Sequence, residues 1–189
     1  SEVVVLSTTV EQEIKNFWLT KSKIVRKLAL PPFVNQPLST EKVNDRDCTS
    51  VLFFGRLVQY KGIEIFLKAA ENIGSKHQSI KFVIVGSGAM DQYRGILEKN
   101  YSFIEVDNRW VDETEVQKII EMSDIVVLPY LEATQSGIIP ISQFLGKITV
   151  VTPVGGLIEQ VSDGTGIVLE SIDAAALSDF LEQYIADPS

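Results

Sequence analysis

Val51-Leu52-Phe53-Phe54-Gly55-Arg56-Leu57-Val58-Gln59-Tyr60-Lys61-Gly62-Ile63-Glu64-Ile65-Phe66-Leu67-Lys68-Ala69-Ala70-Glu71-Asn72-Ile73 is the stretch on which the fold turns. It opens with an unbroken apolar run from Val51 to Phe54, which suits a strand buried on both faces. Gly55 ends the run. After a short polar turn, Ile63, Phe66, Leu67, Ala70 and Ile73 recur at helical spacing, so a helix follows Lys61-Gly62. Strand, glycine turn and helix together form the repeating unit of a parallel sheet, whose neighbouring strands need a crossover between them.

The alternation continues toward the C-terminus. Short apolar runs at residues 80–85, 102–106, 125–130, 149–151 and 166–169 are separated by helical patterns, the weakest of them at residues 90–100. Asp112 is placed to cap a helix, with Glu115 completing a capping box before Val116, Ile119 and Ile120. Asp173 stands likewise before Leu177, Phe180, Leu181 and Tyr184. The fold class expected is α/β, a Rossmann-like parallel sheet with helices on both faces. Ligands in such a sheet sit beyond the C-terminal ends of the strands.

The opening residues read differently. Val3 to Leu6 suits a strand, Thr9 with Gln12 a capping box, and Val10, Ile14, Phe17 and Trp18 the buried stripe of a helix. An extended run at residues 24–30 ends in Pro31-Pro32, and a polar, turn-rich stretch follows. The organisation expected is a domain tail and crossing segment over residues 1–33, a linker over 34–49, and a complete domain over 50–189.

With 189 residues, 45% of them apolar, the chain can bury a sizeable core. No apolar stretch approaches the roughly 20 residues of a membrane span and no cleavable leader is visible, so the expectation is a soluble, cytoplasmic protein. Cys48 and His77 are the single cysteine and the single histidine, which argues against a disulfide, a zinc cluster and a Ser-His-Asp triad. His77 lies in a polar connection and is expected to be solvent-exposed. A net charge of −8 opposes broad nucleic-acid binding, so any anion must be held by a few placed groups.

Those groups are sought in the loops after the strands. Gly55-Arg56-Leu57 and Lys61-Gly62 put two cations at the mouth of the sheet, where a guanidinium fork and an ammonium suit a diphosphate. The same spacing also fits two solvated surface cations. Gly86-Ser87-Gly88 lets a ligand approach the backbone, or makes a tight turn and nothing more, and the third glycine of a dinucleotide fingerprint is absent at Asp91. Glu132-Ala133-Thr134-Gln135-Ser136-Gly137-Ile138 leads into a helix with Pro140 in its first turn. Backbone N–H groups near Gly137 and Ile138 would suit a phosphate there, and Glu132 would accept from sugar hydroxyls or serve as an exposed loop carboxylate. Arg109-Trp110-Val111 faces the same cleft, with packing the commoner role for Trp110. Gly155-Gly156 fits either a ligand approach or a structural turn.

Taken in order, these pieces resemble the C-terminal, donor-binding domain of GT-B-fold glycosyltransferases, specifically glycosyltransferase family 4. The pattern runs through Phe53-Phe54-Gly55-Arg56-Leu57, Lys61-Gly62, Val85-Gly86-Ser87-Gly88, Arg109-Trp110-Val111, Ser123 to Tyr130, Glu132 to Gly137, Gly146-Lys147, Gly155-Gly156-Leu157 and Asp163 to Gly166. The resemblance implies one half of a GT-B fold, and an enzyme moving a sugar from a UDP or GDP donor with retention and without an essential metal or other cofactor. It assigns neutralisation of the diphosphate to Arg56 and Lys61, donor-sugar contact to Glu132, and backbone N–H groups toward phosphate to Ser136, Gly137 and Ile138. Gly55, Gly86, Thr134 and Gln135 complete the donor site, and the backbone near Val111 meets the base. It further implies a glycan or lipid-linked acceptor held by a separate N-terminal domain, a place in polysaccharide biosynthesis, and for the full enzyme a peripheral association with the membrane surface. One departure stands out: Ile141 occupies the place of a second, ribose-binding glutamate, and Glu132 falls one position early, leaving Gln143 or a backbone group to substitute. Two other readings share these residues. One is an epimerase or phosphorylase of the same fold, and the other is a non-catalytic binding module.

Overall fold

The computed structural model describes residues 2–5, 7–16, 24–28, 48–99, 101–161 and 164–187. The linker expected over 34–49 lies, but for Cys48 and Thr49, outside the described residues, as do Phe17, Trp18 and Pro31-Pro32.

Six strands form one parallel sheet: β3 (Thr49–Phe54), β4 (Ile80–Gly86), β5 (Ile104–Asn108), β6 (Ile125–Leu128), β7 (Ile148–Val151) and β8 (Ile167–Val168), in the order β5-β4-β3-β6-β7-β8. The order reverses between β3 and β6, which pair at Val51 with Ile125 and Leu52 with Val126. At such a reversal the loops leaving the two strands diverge and open a crevice. Ahead of the sheet, β1 (Glu2–Val5) and β2 (Ile24–Lys27) form a separate parallel pair flanking α1 (Thr8–Asn16).

The strand alternation divides the core between two faces. Val51 and Phe53 point into one cluster and Leu52 into the other, and all three are buried. On the first face α2 (Ile63–Gly74) and α7 (Ala174–Ala186) pack together, and Phe66 sits between Phe53 and Phe82 at ring-centroid distances of 5.6 and 5.7 Å. On the second, α4 (Glu113–Glu121), α5 (Ile138–Phe144) and α6 (Gly155–Val161) supply Ile120, Ile139 and Leu157. Each fully buried side chain of this size contributes roughly 1.5–3 kcal/mol. Among the described residues no buried side-chain nitrogen or oxygen lacks a partner.

Several local expectations shift. Helix α1 starts at Thr8, and the Ser7 hydroxyl, not Thr9, accepts from the Val10 N–H at 3.3 Å. The helix expected at 90–100 shrinks to a 3-10 turn, Asp91–Tyr93, and the single turn α3 (Arg94–Leu97), which contains Gly95. Strand β5 begins two residues late because residues 101–104 form a turn, closed by the Ile104 N–H donating to the Tyr101 carbonyl at 3.1 Å, with the Phe103 ring stacked on Tyr101 at 4.7 Å. Asp112 caps α4 through the Thr114 N–H, and the Glu115 carboxylate, besides its ion pair with Arg109, draws on the Asp112 backbone N–H, so the box expected from the sequence forms. His77 is only 28% exposed and hydrogen-bonds Glu182 on α7 at 2.8 Å. The helical hairpin of α2 and α7 recruits the ring that the sequence pattern leaves in solvent.

Candidate functional site

The loops leaving β3, β4, β6 and β7 gather at the C-terminal ends of the strands, and glycine lets them touch. Gly86 (φ 150°) lies against Gly55, and a Cβ there would land on the Gly55 carbonyl oxygen. Leu57 and Gly88 form a bridge between the two loops, and Asn108 holds Gly88 by accepting from its N–H and donating to its carbonyl, at 3.2 and 3.0 Å. The β6 loop is clamped from both sides. Gly62 abuts the Pro129 carbonyl, Gly155 that of Ala133 and Gly156 that of Thr134. The Leu131 N–H donates to the Tyr60 carbonyl at 2.8 Å. Gly155-Gly156 is therefore a structural close approach, and Gly155 also lines the cleft described below.

Tyr130 is the centre of this arrangement. Its ring is 1% exposed, its carbonyl accepts from the Thr152 hydroxyl, and its own hydroxyl lies 3.4 Å from Ser136 Oγ. Lys61 Nζ sits 3.8 Å from the ring centroid and 5.5 Å from that of Tyr60. Burial, and then the nearby Arg56 charge, lower the Lys61 pKa to about 8. Desolvation likewise pushes the Tyr130 phenol up to about 12, so it stays neutral. Neither Arg56 nor Lys61 pairs with a carboxylate among the described residues.

On the far side of Tyr130 the turn at Ser136 is held by Gln160 of α6. The Gln160 carboxamide accepts from the Ser136 N–H at 2.8 Å and donates to the Ser136 carbonyl at 3.0 Å. The Ile138 N–H, expected to be free, donates to Ser136 Oγ at 3.3 Å. Gly137 is exposed, with open space where a side chain would stand. Thr134, Gln135 and Glu132 lie along the same loop, and Glu132 is exposed with no polar partner among the described residues.

Beside the loop opens a cleft of about 550 Å³ whose lining includes Glu13, Tyr60, Glu132, Thr134, Val154 and Gly155. Glu13 comes from α1, which is tied to α6 by the Thr8 N–H donating to Glu159 at 2.8 Å. A second hollow of about 560 Å³ runs along the sheet face over Leu52, Val83 and Val85, with Cys48 and Ser50 at one end, away from the glycine turns.

The remaining candidates make no recorded polar contact with Tyr130, although Ile141 and Val111 belong to or pack against the same core cluster. Arg109 is held by Glu115 and Asp107, and these hydrogen bonds raise its pKa further above its ordinary value. Trp110, for which packing is the commoner role, is 77% exposed, while the neighbouring Val111 packs against the second core cluster. Gln143 donates to the Gln160 carbonyl at 2.9 Å and to Thr165 Oγ1 at 2.6 Å. Ile141 is 8% exposed and belongs to the core. Sequence reasoning passed over Tyr60, Tyr130, Gln160 and Glu13, of which only Tyr130 carried a signal, as the residue next after a buried strand. Among the described residues no helix is long and apolar enough to cross a membrane.

Comparison with known proteins agrees with this geometry. Residues 48–187 match the model of the family described as Glycosyl transferases group 1. The chain is 29% identical over 174 residues to an uncharacterised glycosyltransferase of Methanocaldococcus jannaschii, covering 84% of this chain and 44% of that protein. It is 29% identical over 146 residues to GDP-mannose:glycolipid 4-beta-D-mannosyltransferase of Xanthomonas campestris, covering 73% and 41%. Among solved structures, sucrose-phosphate synthase of Thermosynechococcus elongatus superposes with a TM-score of 0.76 at 20% identity, over 99% of this chain and 49% of that one. The chain thus spans less than half the length of these relatives.

Proposed function

Since this chain belongs to the group 1 glycosyl transferases, we propose that it forms the donor half of an enzyme that transfers a sugar from a nucleoside diphosphate sugar to an acceptor. The observation that carries this reading is the pair Arg56 and Lys61. Two adjacent cations, neither paired with a carboxylate among the described residues, sit at the sheet's reversal point in a chain of net charge −8. Such a pair lacks a dianion, and a diphosphate supplies one. In transfer, charge grows on the departing diphosphate as the bond to the anomeric carbon breaks. Arg56 and Lys61 stabilise it more in the transition state than in the ground state. Glu132, at the edge of the cleft and without a polar partner among the described residues, accepts from donor-sugar hydroxyls, and the Ser136 to Ile138 turn approaches the phosphates. Retention of anomeric configuration is part of the proposal. The GDP-mannose donor named for the Xanthomonas relative supports a nucleotide sugar, and leaves UDP and GDP both to be tried.

Calorimetric titration of the chain with UDP and with GDP tests it. Binding of either in the millimolar range or tighter, weakened tenfold or more by Arg56→Ala, is the expected result. Failure of both at millimolar concentration would sink the reading. Retention is checked by the anomeric NMR signature of the product formed by the full-length protein.

A further inference from the structure

We propose that Tyr130 is a positioning residue, whose buried ring face seats the Lys61 ammonium beside Arg56 in the anion site. This rests on the diphosphate-binding reading above and deepens it. Lys61 is the last residue of the 3-10 turn Gln59–Lys61, and its long stem would otherwise sample many rotamers. The contact of 3.8 Å to the Tyr130 centroid is well inside the range of a cation over an aromatic face, and Tyr60, at 5.5 Å, adds a second, weaker one. The ring is itself closely packed. It is 1% exposed, packed in the second core cluster, and its backbone is fixed by the Thr152 hydroxyl below and by the Leu131 N–H bonded to the Tyr60 carbonyl beside it.

Among the described residues, the titratable and charged groups recorded against Lys61 are Arg56, Tyr60 and Tyr130, and no carboxylate pairs with it. A cation next to another cation and partly removed from water is poorly placed unless something favours it there. The electron-rich ring face does so without occupying the position an anion needs, as a carboxylate would. A preorganised cation loses less freedom when the diphosphate binds, so the seat appears as affinity for the diphosphate and not for the nucleoside.

The test compares Tyr130→Phe, which keeps the face, with Tyr130→Leu, which removes it; Tyr130→Met replaces Leu where that variant does not fold. In the unliganded chain, the Lys61 ε-methylene protons are expected to be ring-current-shifted upfield in the wild type and in Tyr130→Phe, and to lose that shift in Tyr130→Leu. Affinity for UDP or GDP is expected to stay within about threefold in Tyr130→Phe and to fall about tenfold in Tyr130→Leu, while affinity for the bare nucleoside is unchanged. In a Lys61→Met background Tyr130→Leu should cost nothing further, because the ring acts through the lysine. The proposal is overturned if the Leu penalty persists in that background, if Phe loses as much as Leu, or if the wild-type lysine shows no ring-current shift. Should the wild type bind neither nucleotide, the diphosphate reading fails, whereas the ring-current comparison still decides whether Tyr130 seats Lys61.

Discussion

Gly62 lies flush against Pro129: a Cβ on Gly62 would coincide with the Pro129 carbonyl oxygen, and its φ of 70° is left-handed. The contact joins the start of α2 to the loop after β6, the two walls of the crevice. Gly62→Ala is expected to meet both a left-handed backbone cost of about 1–2 kcal/mol and a backbone collision, for a total of about 3 kcal/mol or more. Gly146→Ala is the control, because its φ is 66° but nothing lies within 4 Å of the added methyl. Urea unfolding should show a loss of only about 1 kcal/mol there. Equal losses in the two variants would mean that the walls are not in contact.

Nucleotide binding should depend on pH through Lys61. In the free chain its pKa is lowered to about 8, by burial first and Arg56 second, and a bound diphosphate must raise it. Between the free and bound values the complex holds more protons than the free chain. Affinity therefore falls as pH rises through about 8, approaching tenfold per unit, with a proton taken up on binding. Below that value Lys61 is charged in both states and its contribution to the dependence vanishes, leaving that of the terminal phosphate, whose second ionisation lies at about pH 6. Calorimetry in buffers of different ionisation enthalpy measures the uptake, and Lys61→Arg, always charged, should flatten the profile. A wild-type profile that is flat one unit either side of that midpoint would exclude Lys61 from the site.

Gln160 is expected to matter through the turn it holds. Its carboxamide satisfies both the N–H and the carbonyl of Ser136, so Gln160→Ala leaves two backbone groups wanting partners, at a cost of about 1–3 kcal/mol. Gln160→Glu keeps an acceptor for the Ser136 N–H but loses the donor and brings a negative charge next to the proposed phosphates. Nucleotide affinity should therefore fall further in Gln160→Glu than in Gln160→Ala, and 0.5 M salt should narrow the gap by screening. Identical affinities in the two variants would remove Ser136 from the anion site.

The core strands were readable because a strand buried on both faces must be apolar throughout, as Val51 to Phe54 and Ile125 to Leu128 are. The cations and glycines could be picked out as candidates because they stand in the turns that end such strands, while their spacing fitted solvated cations and plain turns as well. What could not be read depends on partners far along the chain. Gln160 is 24 residues from Ser136, and nothing in its local pattern distinguishes it from a solvated helix residue. His77 and Glu182 are 105 residues apart, and only the packing of α2 on α7 joins them. Thr9 with Gln12 reads as a capping box, yet the helix starts at Thr8 and the Ser7 hydroxyl accepts from the Val10 N–H.

Ile141 tests what has replaced the missing carboxylate. At 8% exposure within the core cluster of α5, it stands where the resemblance expects a ribose-binding glutamate. Ile141→Glu would place an ionised carboxylate in apolar surroundings, at an expected cost of about 2–4 kcal/mol at neutral pH. Its folded pKa would lie above the ordinary value near 4.3, so the folded chain binds the extra proton and the loss shrinks as pH falls through that folded value. Ile141→Met, which keeps volume and polarity, should cost less than about 1.5 kcal/mol. A bound ribose would offset the charge burial by donating its hydroxyls, so UDP or GDP should stabilise Ile141→Glu by more degrees in thermal unfolding than it stabilises the wild type. If nucleotide stabilises both equally, the ribose does not reach position 141, and recognition of the sugar ring falls to Gln143 or to backbone groups.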